Sequence, residues 1–153
     1  MKNIILAALL LPSLCFAENL FKNGGMDTSS GWKGDRKYVP LDGSRVIMVK
    51  ANKRKAVSFG QTVGSRDVTD FYLTYRYKSF NYKGRGFKLS GTRDNGSSTF
   101  NTYDLKADGK WHKMKKKFTE VEGSRNIKFT FTILEGKGEV FFDDIYVDVK
   151  EAD

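Results

Sequence analysis

The sequence predicts an all-β fold, built either as a two-sheet sandwich or as a barrel. Apolar residues recur with a period of two along most of the chain, and aromatic residues make up 14% of it, a pattern typical of half-buried strands. Gly, Asn and Asp residues separate these stretches at roughly even spacing. Many short strands between such turns favour an antiparallel arrangement over parallel α/β units.

The alternation is clearest from Asp70 to Phe80. Phe71, Leu73, Tyr75 and Tyr77 take every second position there. Because successive side chains of a strand point to opposite faces, we expect these four in the core and the residues between them facing outward.

Turn residues divide the rest of the chain into further strands. Asp108 and Gly109 favour a hairpin turn, since both tolerate positive φ, and Asp94, Asn95 and Gly96 form another turn. The predicted strands are Arg45–Lys50 with its expected neighbour Ala56–Val63, then Asp70–Phe80, the stretch around Phe87 and Leu89, Ser98–Leu105 joined by the Asp108 hairpin to Trp111–Phe118, and Asn126–Leu134 followed by Glu139–Val149.

The first 17 residues read as an export signal. Lys2 is followed by an apolar run and Pro12, so we expect cleavage after Ala17. The run is shorter than the roughly 20 residues that span a bilayer, which disfavours a retained transmembrane anchor. Leu14 stands where a lipoprotein signal has a small residue, which argues against lipidation of Cys15. The predicted organisation is a signal peptide over 1–17 and one disulfide-free domain over 18–153, secreted or periplasmic.

The two ends of the predicted domain resemble a known group. Residues 19–27 (NLFKNGGMD), followed by Gly31 and Trp32, resemble the opening of carbohydrate-binding modules of the galactose-binding-like jelly-roll superfamily. Residues 138–147 (GEVFFDDIYV) resemble the final strand of the same group, with its paired aspartates. The resemblance implies a two-sheet antiparallel jelly-roll β-sandwich that commonly binds glycans, although the same scaffold also serves as a structural or protein-binding module.

The resemblance also implies a structural calcium ion (Ca2+), which many members hold where the first strand meets the last. Asp27 and Asp143 match those positions. Calcium takes about six to eight oxygen ligands, so backbone carbonyls around residues 50–53 would have to complete the site. Lysines in that loop depart from the usual pattern, and the alternative is that Asp143 only ends or pairs a strand.

The predicted ligand site is an aromatic and basic groove on one outward sheet face. Period two places Tyr72, Arg76 and Lys78 together, and Lys88, Lys128 and Tyr82 are expected to join them. Guanidinium and ammonium groups bind carboxylate and sulfate by charge-assisted hydrogen bonds, which predicts an acidic glycan. The alternative is a solvated sheet face.

Other aromatic residues divide into core and surface candidates. Trp32 and Trp111 match positions that are usually core in the group, so we expect both to be buried. Phe80, Tyr38 and Tyr103 are further candidates for exposed aromatics.

The net charge supports an anionic partner. The formal charge of +9 becomes +8 once Lys2 leaves with the signal, and such a field attracts anionic glycans, cell surfaces or nucleic acid, although solubility alone would also explain it. Lys113 and Lys115–Lys117 form a dense basic stretch, but no nucleic-acid motif accompanies it. We expect these lysines to protect a strand edge, with nucleic acid an unlikely partner.

Catalysis is not expected. His112 is the one histidine, and after removal of Cys15 the chain has no thiol. Asp143 and Asp144 are adjacent on a strand and are expected to point to opposite faces, which does not set two carboxylates across one substrate. The leading hypothesis is therefore a secreted, non-catalytic carbohydrate-binding module, and the alternative is a structural or protein-interaction domain with an envelope protein as partner.

Overall fold

A computed structural model describes residues 21, 23–28, 30–64, 68–119 and 126–151; the predicted signal peptide lies outside them. Within these residues, ten strands form two antiparallel five-stranded sheets, which confirms the all-β two-sheet fold. Sheet A has the order β1-β4-β9-β6-β7 and sheet B the order β2-β3-β10-β5-β8. The strands are β1 Lys33–Gly34, β2 Lys37–Leu41, β3 Ser44–Lys50, β4 Val57–Gly64, β5 Val68–Gly84, β6 Phe87–Arg93, β7 Ser98–Tyr103, β8 His112–Thr119, β9 Asn126–Ile133 and β10 Gly136–Glu151.

The core lies between the sheets and is largely aromatic. Phe71, Leu73, Tyr75 and Tyr77 are all buried, as the alternation predicted. Rings from both sheets meet: Phe131 of β9 stacks on Phe59 at 5.0 Å and lies edge-on to Tyr75 at 5.2 Å. Trp32 is 1% exposed, which confirms the prediction for this tryptophan.

Two predicted strand pairings are wrong. Arg45–Lys50 and Ala56–Val63 correspond to β3 and β4, which lie in different sheets. The strands that flank Asp108 and Gly109, β7 and β8, also lie in different sheets, so this turn crosses the sandwich and is no hairpin. Alternation fixes which side of a strand is buried, but it does not identify the neighbouring strand. The turn at 94–96 does close a hairpin, since β6 pairs with β7.

The N-terminal segment lies beside the last strand. The Ile145 amide of β10 donates to the Gly24 carbonyl at 3.0 Å, and the Trp32 indole donates to the Asn23 carbonyl at 3.1 Å. Near this contact β10 contains a bulge. Two residues of β10 lie between Asp143 and Tyr146, whereas one residue of β5 lies between their partners Arg76 and Thr74. Within the described residues, no helix is long and apolar enough to cross a bilayer.

Candidate functional site

The outward side of sheet B, here called the B face, carries three of the predicted ligand residues. Tyr72, Arg76 and Lys78 alternate along β5 with buried residues, so they share this face as predicted. Lysines of the edge strand β8 continue it, since Lys113 lies opposite Arg76 and Lys117 lies opposite Tyr72. The B face is therefore aromatic and basic, but its charges are partly compensated.

Arg76 is held by two carboxylates. Its Nη2 lies 2.5 Å from Asp143 Oδ2, and its Nε lies 3.0 Å from Asp144 Oδ2. The expectation that Asp143 and Asp144 point to opposite faces is wrong, because the bulge and the positive φ of 49° at Asp144 bring both carboxylates to one guanidinium. Burial opposes the charged form of Arg76, but the hydrogen bond and charge of Asp143 outweigh it and raise its pKa.

Lys78 and Trp111 converge on the tip of the β2–β3 hairpin. Asp42 Oδ2 accepts hydrogen bonds from Lys78 Nζ at 2.7 Å and from the Trp111 indole at 2.8 Å. These two hydrogen bonds lower the pKa of Asp42. Trp111 is only partly buried and lies on the B face, with the Arg76 guanidinium 4.6 Å from its ring, so the prediction of a core position is wrong. The exposed Asp42 provides a partner that its indole N–H would lack in the core.

Two other predicted ligand residues lie elsewhere. Tyr82 is 6% exposed, and its hydroxyl donates to the Gly86 carbonyl at 2.8 Å, so it is a core residue. Here β5 itself bulges, because two of its residues lie between Phe80 and Lys83 while only one residue of β10 lies between their partners Glu139 and Lys137, and this breaks the alternation of β5. Lys88 lies on β6, on the outward side of sheet A, because its neighbours Phe87 and Leu89 face the core. Lys128 of β9 lies on the same side of sheet A as Lys88. These positions correct the expectation that Tyr82, Lys88 and Lys128 share a face with Tyr72.

The further aromatic candidates differ in exposure. Phe80 is 36% exposed, and its ring lies edge-on to Phe141. Tyr38 is partly buried, and its hydroxyl donates to the Ser30 carbonyl at 3.0 Å. Tyr103 is also partly buried and stacks on Phe87. Of these three, Phe80 offers the most accessible ring.

The calcium site predicted from Asp27 and Asp143 stays a prediction, and the surroundings of Asp143 do not favour it. Asp143 is 2% exposed. Its Oδ2 accepts from Arg76 and from Ser44, and its Oδ1 accepts from the Asp144 amide at 2.9 Å. Both oxygens are thus engaged beside a guanidinium that a cation would have to displace. No group of three or more His, Cys, Asp or Glu side chains fit to hold a metal occurs among the described residues.

The outward side of sheet A, here called the A face, differs in chemistry. The five strands of sheet A contain no Asp, Glu or His. Their outward residues form three rows across the sheet, set by the strand register. The rows are Ser58, Thr132, Lys88 and Thr102; then Lys33, Gly60, Thr130, Ser90 and Phe100; then Thr62, Lys128, Thr92 and Ser98.

A groove crosses part of the A face. It has a volume of 470 Å³ and runs along Lys33, Ser58, Gly60, Thr62 and Lys128. Gly60 lines it, and a Cβ at that position would meet the Phe129 carbonyl oxygen at 2.3 Å. At the far edge Phe100 is 62% exposed, with Lys88 Nζ 5.4 Å from its ring.

Known structures share this architecture. A carbohydrate-binding module of family 4 aligns with a TM-score of 0.67 and 16% identity over 85% of this chain and 99% of its own. A family 16 carbohydrate-binding module gives 0.65 and 19% over 84% and 99%. The module TmCBM61, solved with β-1,4-galactotriose, gives 0.56 and 19% over 87% and 99%. The chain has the jelly-roll fold of carbohydrate-binding modules. No protein-family profile matches the sequence, and no curated protein matches it.

These comparisons confirm the fold that the sequence resemblance implied. A shared fold does not identify a ligand, so the binding surface must be inferred from the residues of this chain.

Sequence reasoning missed Phe100 and Lys33 on the A face and Tyr146 on the B face. In the predicted strand Ser98–Leu105, Phe100 shares one side with polar residues. The alternation could therefore have predicted an exposed aromatic side chain at this position. Tyr146 follows the bulge, which shifts the alternation and hides this signal.

Proposed function

We propose that this chain is a secreted, non-catalytic carbohydrate-binding module and that its A face binds an acidic glycan. Support for carbohydrate comes from the fold, which it shares with modules that include one solved with a galactotriose. A fold alone does not identify a ligand, so the proposal depends on the chemistry of the A face.

One observation carries the proposal: Lys33, Lys88 and Lys128 share the open A face, whose strands contain no acidic residue. None of the three forms an ion pair with a carboxylate of the described residues. On the B face, by contrast, Arg76 and Lys78 both have carboxylate partners. Cations without partners attract an anionic ligand and are free to donate charge-assisted hydrogen bonds to it.

The neutral residues of the A face suit a glycan. Ser and Thr hydroxyls both donate and accept hydrogen bonds, as sugar hydroxyls require. Phe100 offers an exposed ring on which the C–H face of a sugar would pack. The middle row extends from Lys33 across Gly60 and Thr130 to Phe100, so an extended chain lying along it would contact every strand of sheet A.

We propose that the A face binds a glycan without hydrolysing it. General acid and base catalysis in glycoside hydrolysis uses a pair of carboxylates across the scissile bond. The strands of sheet A supply none. These residues support glycan binding without cleavage.

The test is retention on immobilised acidic and neutral polysaccharides at several salt concentrations. We expect binding to acidic glycans that weakens with salt, because exposed charges are screened. Lys88→Gln combined with Lys128→Gln is expected to weaken binding about tenfold, which corresponds to about 1.4 kcal/mol, and Phe100→Ala by a similar factor. The control is Lys53→Gln, which removes an exposed lysine of the loop after β3.

Unchanged retention of the double variant would overturn the A face as the site. Retention of neutral glycans alone would overturn the acidic ligand. If a stoichiometric envelope protein binds and no glycan is retained, the protein-interaction hypothesis replaces this one.

A further inference from the structure

A recess on the B face is not explained by the proposed function. It has a volume of 350 Å³, and it is bounded by Thr74, Arg76, Trp111, Lys113, Asp144 and Tyr146. A groove of 540 Å³ continues from it along Lys113, Lys115 and Asp148. The recess lies at the bulge of β10 between Asp143 and Tyr146, since Asp144, Tyr146 and the facing Thr74 all border it.

We propose that this recess is a second carbohydrate site, which binds one sugar ring that carries a carboxylate or a sulfate. The site goes beyond the A face and does not depend on it. The two outward faces of a sandwich lie on opposite sides of the molecule, so a ligand in one does not contact a ligand in the other.

The walls of the recess are aromatic. Tyr146 is 39% exposed although it belongs to a central strand of sheet B, and Trp111 is partly exposed opposite it. The indole is held in place from two sides, by its hydrogen bond to Asp42 and by the Arg76 guanidinium above its ring. A fixed aromatic wall loses little conformational entropy when a sugar ring packs on it.

The end of the recess provides matched polar groups. Asp144 has an exposed side-chain fraction of 46% and remains an acceptor for sugar hydroxyls beside its contact with Arg76. The guanidinium is fixed by Asp143 and Asp144 together. Groups whose orientation is fixed before binding give specificity at a lower entropic cost than mobile ones.

The lysines of β8 set the charge preference. Lys113 and Lys115 border the recess and its groove, and neither forms an ion pair with a described carboxylate. The acidic groups that face the recess are Asp144, which Arg76 compensates, and Asp148 further along the groove. Both ammonium groups can therefore donate charge-assisted hydrogen bonds to a carboxylate or sulfate of a bound sugar.

Tryptophan fluorescence can distinguish binding in the recess from binding on the A face. The chain has two tryptophans: Trp32 is 1% exposed in the core, and Trp111 borders the recess. The rows of the A face contain no tryptophan. A ligand bound in the recess is therefore expected to change the emission of Trp111, whereas a ligand bound on the A face leaves both indoles untouched.

The experiment is a fluorescence titration of the whole secreted protein with trigalacturonate, with a sulfated chondroitin oligosaccharide and with neutral cellotriose. We expect a saturable change in emission with the two acidic probes. Lys113→Gln is expected to weaken it about tenfold and Tyr146→Ala at least as much. The double variant Lys88→Gln, Lys128→Gln is the matched control and is expected to keep it.

The outcomes separate this proposal from the proposed function. The second site would be overturned if the tryptophan emission did not change at probe concentrations that saturate binding to the A face. An undiminished emission change in Lys113→Gln would overturn it as well. Neither result would affect the A face as a binding site. An equal response to cellotriose would overturn the anionic ligand. Weaker retention of the A-face variant together with a preserved Trp111 response supports both sites. If Tyr146→Ala fails to fold, Lys113→Gln decides, because Lys113 is an exposed residue of an edge strand.

Discussion

Arg76 and Asp143 form an ion pair across β5 and β10, with Nη2 and Oδ2 2.5 Å apart and the carboxylate 2% exposed. Removing one partner of a buried pair leaves an uncompensated charge, which costs about 3 kcal/mol or more. We therefore expect Arg76→Ala to lower the free energy of unfolding by about 3 kcal/mol. Asp144→Ala removes the exposed partner and is expected to cost about 1 kcal/mol or less. Urea unfolding of both variants measures this difference, and equal losses would contradict it.

The same pair limits Arg76 as a probe of ligand binding. A loss of glycan binding in Arg76→Ala would report partial unfolding as readily as a lost contact. Lys113→Gln and Lys88→Gln leave the Arg76 ion pairs in place, so they are the better probes of the two faces.

Acid is expected to loosen the hairpin tip through Asp42. The hydrogen bonds from Lys78 and Trp111 hold its pKa below the ordinary value of 3.8. A depressed pKa means that the folded state binds the proton less readily than the unfolded state. The contribution of Asp42 to stability is therefore complete above pH 3.8 and is lost as pH falls through its lowered pKa.

The measurement is thermal unfolding of the parent protein and of Asp42→Asn between about pH 7 and pH 2. Asp42→Asn is expected to lower the midpoint at neutral pH and to lose less stability on acidification. Trp111 fluorescence should change over the same range in the parent protein only. Parallel curves for the two proteins would show that Asp42 does not carry this effect.

The buried tyrosines are expected to respond to Phe substitution in opposite directions. The Tyr75 hydroxyl is buried without a hydrogen-bond partner among the described residues, and burial raises its pKa far above the ordinary value of 10.0. Tyr75→Phe removes an unsatisfied polar group and is expected to stabilise the protein by about 1 kcal/mol.

Tyr82→Phe is the matched control, because the Tyr82 hydroxyl donates to the Gly86 carbonyl and accepts from the Gly86 amide. Tyr82→Phe leaves the Gly86 amide without this acceptor, while the Gly86 carbonyl keeps its hydrogen bond from the Leu134 amide. The loss is expected to cost about 1 to 3 kcal/mol. Chemical denaturation measures both variants. If Tyr75→Phe destabilised the protein as much as Tyr82→Phe, the Tyr75 hydroxyl would have to have a partner in solution, such as water.

Calcium is a direct test of the Asp143 environment. A bound ion that prefers the folded state raises its stability by mass action. Because Arg76 already occupies the Asp143 carboxylate, we expect the unfolding midpoint to be the same in millimolar calcium and in EDTA. A midpoint several degrees higher in calcium would support the site predicted from Asp27 and Asp143, and its loss in Asp27→Asn would assign it.

Two binding faces on opposite sides would allow one molecule to hold two polysaccharide chains. Light scattering from a dilute polygalacturonate solution is therefore expected to rise when the protein is added and to fall again in excess protein, when each chain is saturated. The A-face double variant and Lys113→Gln should each bind without raising the scattering. Scattering that persists in both variants would point to a general effect of the basic charge instead.

Local sequence patterns were sufficient to predict the class of the fold, the inward side of the central strands and the presence of Tyr72, Arg76 and Lys78 on one face. Each of these follows from the two-residue period of a strand, which is a local property. The resemblance of the two ends also indicated the jelly roll, because their turn and strand residues are contiguous in the chain.

Which strands are neighbours depends on tertiary packing. The chemistry of each face depends on it too, because neighbouring strands supply the side chains of that face. Lys88 lies on the opposite side from Arg76 because β6 and β5 belong to different sheets. At the bulge of β10, Asp143 and Asp144 both contact the Arg76 guanidinium. At the tip of the β2–β3 hairpin, Asp42 contacts Lys78 and Trp111. These contacts join residues 36 to 69 positions apart in the chain. No local pattern encodes them, since long-range pairing depends on how all ten strands pack at once.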